Sequence, residues 1–269
     1  VVYADWIPEG KAARIGNTFY DTLQLAINAV PETGVKTTVK VLKDLDESGV
    51  AVSKKRNVEL DLNGYELSNS NTSTSTLVNN GILDMKNGTV TCASSSGCVN
   101  NESYAKMTLT DVTIESTGSR QALYVRGGTV IIDGNTIVRN SNNQRAALQI
   151  VKGSNNAVGN VIIKSGTVEA TNFNAIVVDS GQFLTIGTDD DSLSTTNPVI
   201  KGKTFGVQSS TNVYFYDGIV EGQSNPFSDN GRVVIKTNTT KMEGFDGQYK
   251  TNTLAYISTF NHTVDFVSD

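Results

Sequence analysis

Val161-Ile162-Ile163-Lys164-Ser165-Gly166-Thr167-Val168 is the stretch that decides how this chain folds. Alternation sends Val161 and Ile163 to one side and Ile162 to the other. Gly166 marks a turn, and Thr167-Val168 begins a second short apolar strand. Strands this short cannot bury an apolar face alone, so the unit needs a copy of itself to stack on. The copies are present. Val58-Glu59-Leu60-Asp61-Leu62-Asn63-Gly64, Leu83-Asp84-Met85-Lys86-Asn87-Gly88-Thr89-Val90, Val130-Ile131-Ile132-Asp133-Gly134 and Val213-Tyr214-Phe215-Tyr216-Asp217-Gly218-Ile219-Val220 repeat the pattern. Met107-Thr108-Leu109-Thr110-Asp111-Val112-Thr113-Ile114 is a variant without glycine.

A third strand precedes each unit, anchored by Leu77, Val99, Leu123, Leu148, Ile176 and Val207, at spacings of 22, 24, 25, 28 and 31 residues. Three short strands and three turns fill such an interval. The expected fold is therefore all-β: a right-handed parallel β-helix with three short strands per coil. Roughly eight coils at ~4.8 Å each make a rod about 40 Å long. Leu60, Leu83, Leu109, Ile132, Ile163 and Phe215 are expected inside, and Asp61, Asp84, Thr108, Ile131, Ile162 and Tyr214 outside. The drift in spacing places turn insertions at Gly153–Asn160 and Thr188–Asn197.

A solenoid end exposes apolar side chains and unpaired strand edges, so caps are expected. Residues 1–35 form the N-terminal cap, with a helix at 21–30. Asp21 is its expected N-cap, Gln24 completes a capping box, and Tyr20 and Leu25 form a hydrophobic staple. Leu23, Ala26, Ile27 and Val30 make the buried stripe, and Pro31 stops the helix. Coils occupy 36–231. The C-terminal cap is 232–269, where Phe245, Tyr249, Tyr256, Phe260 and Phe266 would cover the last coil. The whole chain, 1–269, reads as one domain.

Composition bounds the partners. Of 269 residues 38% are hydrophobic and 18% charged, and the net charge is −5. Phosphate backbones need a basic face, so nucleic acid is not an expected partner. No apolar run approaches the ~18 residues needed to span a bilayer. The chain starts at Val1 with no signal peptide, which reads as a mature segment with targeting signals elsewhere. Cys92 and Cys98 frame a small-residue loop; they either pair, as suits an oxidising exterior, or stay as two free thiols.

The entry Tyr20-Asp21-Thr22-Leu23-Gln24-Leu25-Ala26-Ile27-Asn28-Ala29 belongs to a wider likeness, with Leu184-Thr185-Ile186-Gly187-Thr188-Asp189-Asp190-Asp191, Pro198-Val199-Ile200-Lys201-Gly202 and Phe215-Tyr216-Asp217-Gly218-Ile219-Val220-Glu221-Gly222. The chain resembles the pectate-lyase-like β-helix superfamily, and more closely the β-helix segments of large surface proteins of Gram-positive gut bacteria. That resemblance implies an extracellular, cell-surface, adhesin-like module with a polysaccharide or host glycan as partner. Enzymes of the superfamily cut acidic polysaccharides, with Asn-Thr-Asp, Asp-Asp, Gly-His-Gly and Arg-x-Lys motifs in the hydrolases and Ca²⁺ with an Arg or Lys base in the lyases. None of the hydrolase motifs is assembled here, and the only histidine, His262, lies outside the repeat.

No catalytic residue is assigned. Arg126 and Asp179 could share a face two coils apart, as a lyase-like pair or as solvated surface charges. Asp189-Asp190-Asp191 is either a Ca²⁺ site or a polar turn insertion; no other cofactor is expected. Glu115, Glu169 and Glu221 sit at equivalent outward positions and read as an acidic stripe or a solvated edge. Tyr214, Tyr216 and Tyr124 are the candidate glycan contacts, since an outward ring can lie on the apolar face of a pyranose. The expected function is a non-catalytic surface module, monomeric, contacting glycans. The alternative is a polysaccharide lyase or glycoside hydrolase acting on an outer groove.

Overall fold

A computed structural model describes residues 8–93, 95–142, 144–188, 197–228, 232–236 and 265–267. It is an all-β parallel solenoid of about 8 turns, with one α-helix among the described residues. Each coil runs across three faces. The first face stacks Lys36–Val41, Asn57–Asp61, the first half of Ile82–Cys92, the first half of Lys106–Ser116, Gly128–Asp133, Gly159–Ile163, Phe183–Ile186 and Asn212–Phe215. The second face continues through the later halves of the two long strands to Ile137–Asn140, Thr167–Ala170, Val199–Gly202 and Ile219–Gly222. The third is an eight-stranded parallel sheet from Val50–Val52 to Asn225–Phe227.

The registers place like on like. Val39, Leu60, Met85, Leu109, Ile132, Ile163, Ile186 and Phe215 form one inward column, all buried. Each large side chain buried this way contributes roughly 1.5–3 kcal/mol. The bend from first to second face requires a left-handed residue in coil after coil. Gly134, Gly166, Gly187 and Gly218 supply it, Asn63 does so together with Gly64, and Asn87 and Asp111 do so without a left-handed glycine. Asp111 holds φ 54° while its carboxylate accepts from Asn135 N at 2.8 Å in the next coil. That explains the glycine-free variant: short polar side chains tolerate this backbone region.

The bend from third to first face carries a buried asparagine pair. Asn79 Nδ2 donates to Asn101 Oδ1 and to the Lys106 carbonyl, both at 2.8 Å. Asn101 Nδ2 donates to the Gly127 carbonyl at 3.0 Å. These side chains satisfy carbonyls that the turn would otherwise bury unpaired.

The N-terminal cap differs in detail from the sequence reading. Helix α1 spans Leu23–Ala29, with Thr22 rather than Asp21 as N-cap. The Thr22 hydroxyl accepts from Leu25 N at 3.1 Å, and the Glu47 carboxylate, from the first coil, accepts from Leu23 N at 2.8 Å. Gln24 makes no capping box. Its amide docks the helix on the third face, accepting from Ala51 N at 2.6 Å and donating to Ala51 O at 3.1 Å. Leu25 is exposed, so no staple forms, whereas Leu23, Ala26, Ile27 and Val30 are buried as expected. The remaining edge is covered by a hairpin absent from the sequence reading. Ala13–Ile15 pairs antiparallel with Thr18–Tyr20 and with the first-face strand at Lys40 and Val41.

At the far end the repeat runs past 231. Arg232–Lys236 pairs in parallel with Asn212–Phe215 and then with Asp265–Val267. The remaining cap aromatics and His262 lie outside the described residues.

Candidate functional site

The outer surface of the first face changes character along the rod. In the early coils it is charged and cross-linked between strands: Lys36 Nζ lies 2.6 Å from Asp84 and 3.4 Å from Glu59, and Lys86 Nζ lies 2.8 Å from Glu59. The Asp84 carboxylate raises the pKa of Lys36, and the Lys86 ammonium beside Glu59 lowers that of its carboxyl. In the later coils the same central column reads Ile131, Ile162, Thr185 and Tyr214, all partly exposed. Beside it stand Thr129, Asn160 and Phe183, with Phe183 46% exposed. Around Phe183 and Tyr214 this half is a pleated patch of β-branched, aromatic and amide side chains, with the partly exposed Asp133 and the exposed Lys164 along its border with the bend.

The second face carries a ladder of opposite charges. Glu115, Arg139, Glu169, Lys201 and Glu221 are successive register partners. Arg139 Nε bonds Glu169 and its Nη1 lies 3.7 Å from Glu115, while Lys201 pairs with Glu221 at 3.7 Å. The Glu169 hydrogen bond raises the pKa of Arg139 further. The three glutamates therefore do not form an acidic stripe, because a cation stands between each pair.

A shallow groove of about 510 Å³ opens beside the upper part of this ladder, lined by Glu169, Thr171, Lys201, Lys203, Glu221 and Gln223 with Gly202 and Gly222 beneath. Its origin is a change in turn length. Earlier coils leave the second face through turns 69–76, 93–98, 117–122 and 141–147; the last two do so through 203–204 and 223–224. Sequence reading missed the groove, although the shortened interval from Gly202 to Phe205 was its signal.

The third face bears Tyr124, stacked between Asn100 and Gln149. The Arg126 guanidinium lies 5.9 Å from its ring centroid and pairs with Glu102 at 3.2 Å. Asp179 occupies the register position of Arg126 two coils on, but the cation is engaged by Glu102 instead. Burial raises the pKa of the Asp179 carboxyl, against a lowering hydrogen bond from Gln149.

The three candidate glycan-contact tyrosines thus lie on different surfaces: Tyr214 and Tyr216 at the first face and its bend, Tyr124 on the third. All are partly exposed. Cys92 and Cys98 are joined by a disulfide with Cα atoms 5.3 Å apart. Asp189, Asp190 and Asp191 lie outside the described residues. Among the described residues no three His, Cys, Asp or Glu side chains converge as metal ligands, and no helix is long and apolar enough to cross a membrane.

No protein-family model, curated protein or solved structure matches this chain.

Proposed function

We propose that this chain is a non-catalytic, extracellular β-helix module of a cell surface that contacts glycans through the later half of its first face. The observation that carries the reading is the change along that face from a network of ion pairs to a patch around Phe183 and Tyr214 whose only charges among the described residues, Asp133 and Lys164, stand at its border. Aromatic rings pack against the C–H faces of pyranoses, and Asn160, Thr185 and Asn212 offer hydrogen-bond partners for hydroxyls. A neutral patch of this kind suits neutral sugars better than the polyuronates taken by enzymes of the superfamily that the sequence resembles. A glycan array with wild-type and Tyr214→Ala protein tests it. Saturable binding weakened about tenfold by the substitution is expected, equivalent to ~1.4 kcal/mol. Binding unchanged in Tyr214→Ala, or none at all, overturns it.

The second reading, a glycoside hydrolase or lyase, rests on the groove. Glu169 and Glu221 are two ladder steps apart, about 10 Å between backbones, near the carboxylate separation of inverting hydrolases. Both carboxylates already have cationic partners, which favours a structural role for the ladder. Release of new sugar ends that stops in Glu169→Gln or Glu221→Gln would establish this reading instead.

A further inference from the structure

The exposed large apolar side chains of the described residues are Leu25, Val35, Tyr104, Val158 and Phe183. All but Leu25 lie on one edge of the rod, the corner where the chain passes from third to first face. Val35 precedes Lys36, Tyr104 lies two residues before Lys106, and Val158 two before Asn160; Phe183 is the register partner of Asn160. Tyr104 and Phe183, 70% and 46% exposed, are three coils apart, about 14 Å along the axis.

Tyr104 is held in place rather than left loose. Its backbone is left-handed at φ 66°, a conformation that costs a bulky residue energy and that cheaper residues could fill. Its hydroxyl donates to the Asn155 carbonyl at 3.3 Å, and the Ser103 hydroxyl to the Ser154 carbonyl at 3.2 Å. Both acceptors belong to the insertion expected at 153–160, which reaches back across two coils. Gly153 permits that reach, since a Cβ there would sit 2.0 Å from the Arg126 carbonyl oxygen. Asn155 and Asn156 are exposed beside the ring's anchor. An outward ring at each end, with the exposed amides of Asn155 and Asn156 beside the first and the exposed Lys106 three coils below the second in its own ladder column, is an arrangement for a ligand that has apolar faces and many hydroxyls.

We infer that this edge binds a linear, neutral, extended glycan running parallel to the rod axis, with Tyr104 and Phe183 as its two stacking platforms. The inference rests on the glycan-contact reading and adds the ligand's shape and direction. The coil rise of ~4.8 Å is close to the length of one pyranose in an extended β-1,4 chain, so successive sugars meet successive coils. Asn155 and Asn156 serve the hydroxyls between the platforms.

Calorimetric titration with cello-, manno-, xylo- and chito-oligosaccharides of graded length tests this. For at least one series, affinity should rise up to about four sugars and then level off, matching the spacing of the platforms. Tyr104→Asn, which keeps a residue that tolerates the left-handed backbone, and Phe183→Ala should each weaken the four-sugar ligand about tenfold while circular dichroism stays unchanged. Binding that is independent of length, or indifferent to both substitutions, overturns the edge while leaving the glycan-contact reading intact. Wild-type protein that binds none of these chains also overturns it; the array with Tyr214→Ala then decides separately whether the face binds other glycans.

Discussion

Ser116 is the direct register partner of Cys92 in the next coil, and the two close the same turn by different means. Cys92 reaches across the turn to Cys98 through a disulfide, and the Ser116 hydroxyl reaches across its own to the Arg120 carbonyl at 2.8 Å. Asn140, one coil further, donates to the Arg145 carbonyl at 3.2 Å. Asn69, in the coil before Cys92, donates to the Thr74 carbonyl at 2.8 Å. Four consecutive coils thus clamp the exit from the second face at one ladder position, and the disulfide is the covalent version of a hydrogen-bonded clasp.

Replacing both cysteines by serine should therefore cost about 2 kcal/mol, the loop-closure value for so short a ring. Cys92→Asn with Cys98→Ser should recover part of that loss, because asparagine already serves the neighbouring coils. Urea unfolding of the three proteins checks it; equal midpoints for the asparagine and serine variants would contradict the shared-clasp account.

The asparagine pair at the other bend should behave as a coupled unit. Asn101→Val, which copies Val125 at the same position, strips the Gly127 carbonyl and one Asn79 amide proton of their partners. The expected loss is about 2–3 kcal/mol. Adding Asn79→Val should cost clearly less than a second independent loss, since the partners were already broken. A double-mutant cycle by chemical denaturation reads the coupling, and strict additivity would refute it.

Much of this architecture was legible in the sequence because its determinants are local. Inward alternation, and a Gly, Asn or Asp at each bend, mark the coils without reference to distant residues. What escaped depends on residues brought together across many positions. Glu47 caps α1 from outside the cap segment, and the Ala13–Tyr20 hairpin is defined by pairing with Lys40 and Val41. Glu115, Glu169 and Glu221 looked alike until register placed Arg139 and Lys201 between them. The exposed edge was hidden because Tyr104 and Phe183, two ladder positions apart, come to the same edge only once the turn lengths are fixed.

The charge ladder should be worth little and be salt-sensitive. Arg139→Gln removes the cation shared by Glu115 and Glu169, both partly exposed, and should cost about 0.5–1 kcal/mol. Raising the ionic strength to about 1 M should shrink the difference, since charges more than ~3 Å apart are then screened. A loss that persists in high salt would point to packing rather than charge.

Two carboxylates should pull the pH dependence of stability in opposite directions. The folded pKa of Glu59 is lowered, chiefly by Lys86, so its contribution is present above the ordinary carboxylate pKa of ~4.3 and lost as pH falls through the folded value. The folded pKa of Asp179 is raised by burial, so its favourable contribution exists below ~3.9 and is lost as pH rises through the folded value. Glu59→Gln should therefore destabilise near neutral pH and Asp179→Asn stabilise there, with both effects fading in strong acid. Denaturation midpoints across that range provide the check, and the same sign for both variants at neutral pH would contradict it.

Titration of neutral glycans into wild-type and Tyr214→Ala protein, with the same solutions assayed for new reducing or unsaturated ends, tests the central claim most directly. The account predicts saturable binding, about tenfold weaker in the variant, with no product formed. Product that accumulates with time, and stops when Glu169 or Glu221 becomes glutamine, would contradict it and move the function to the groove.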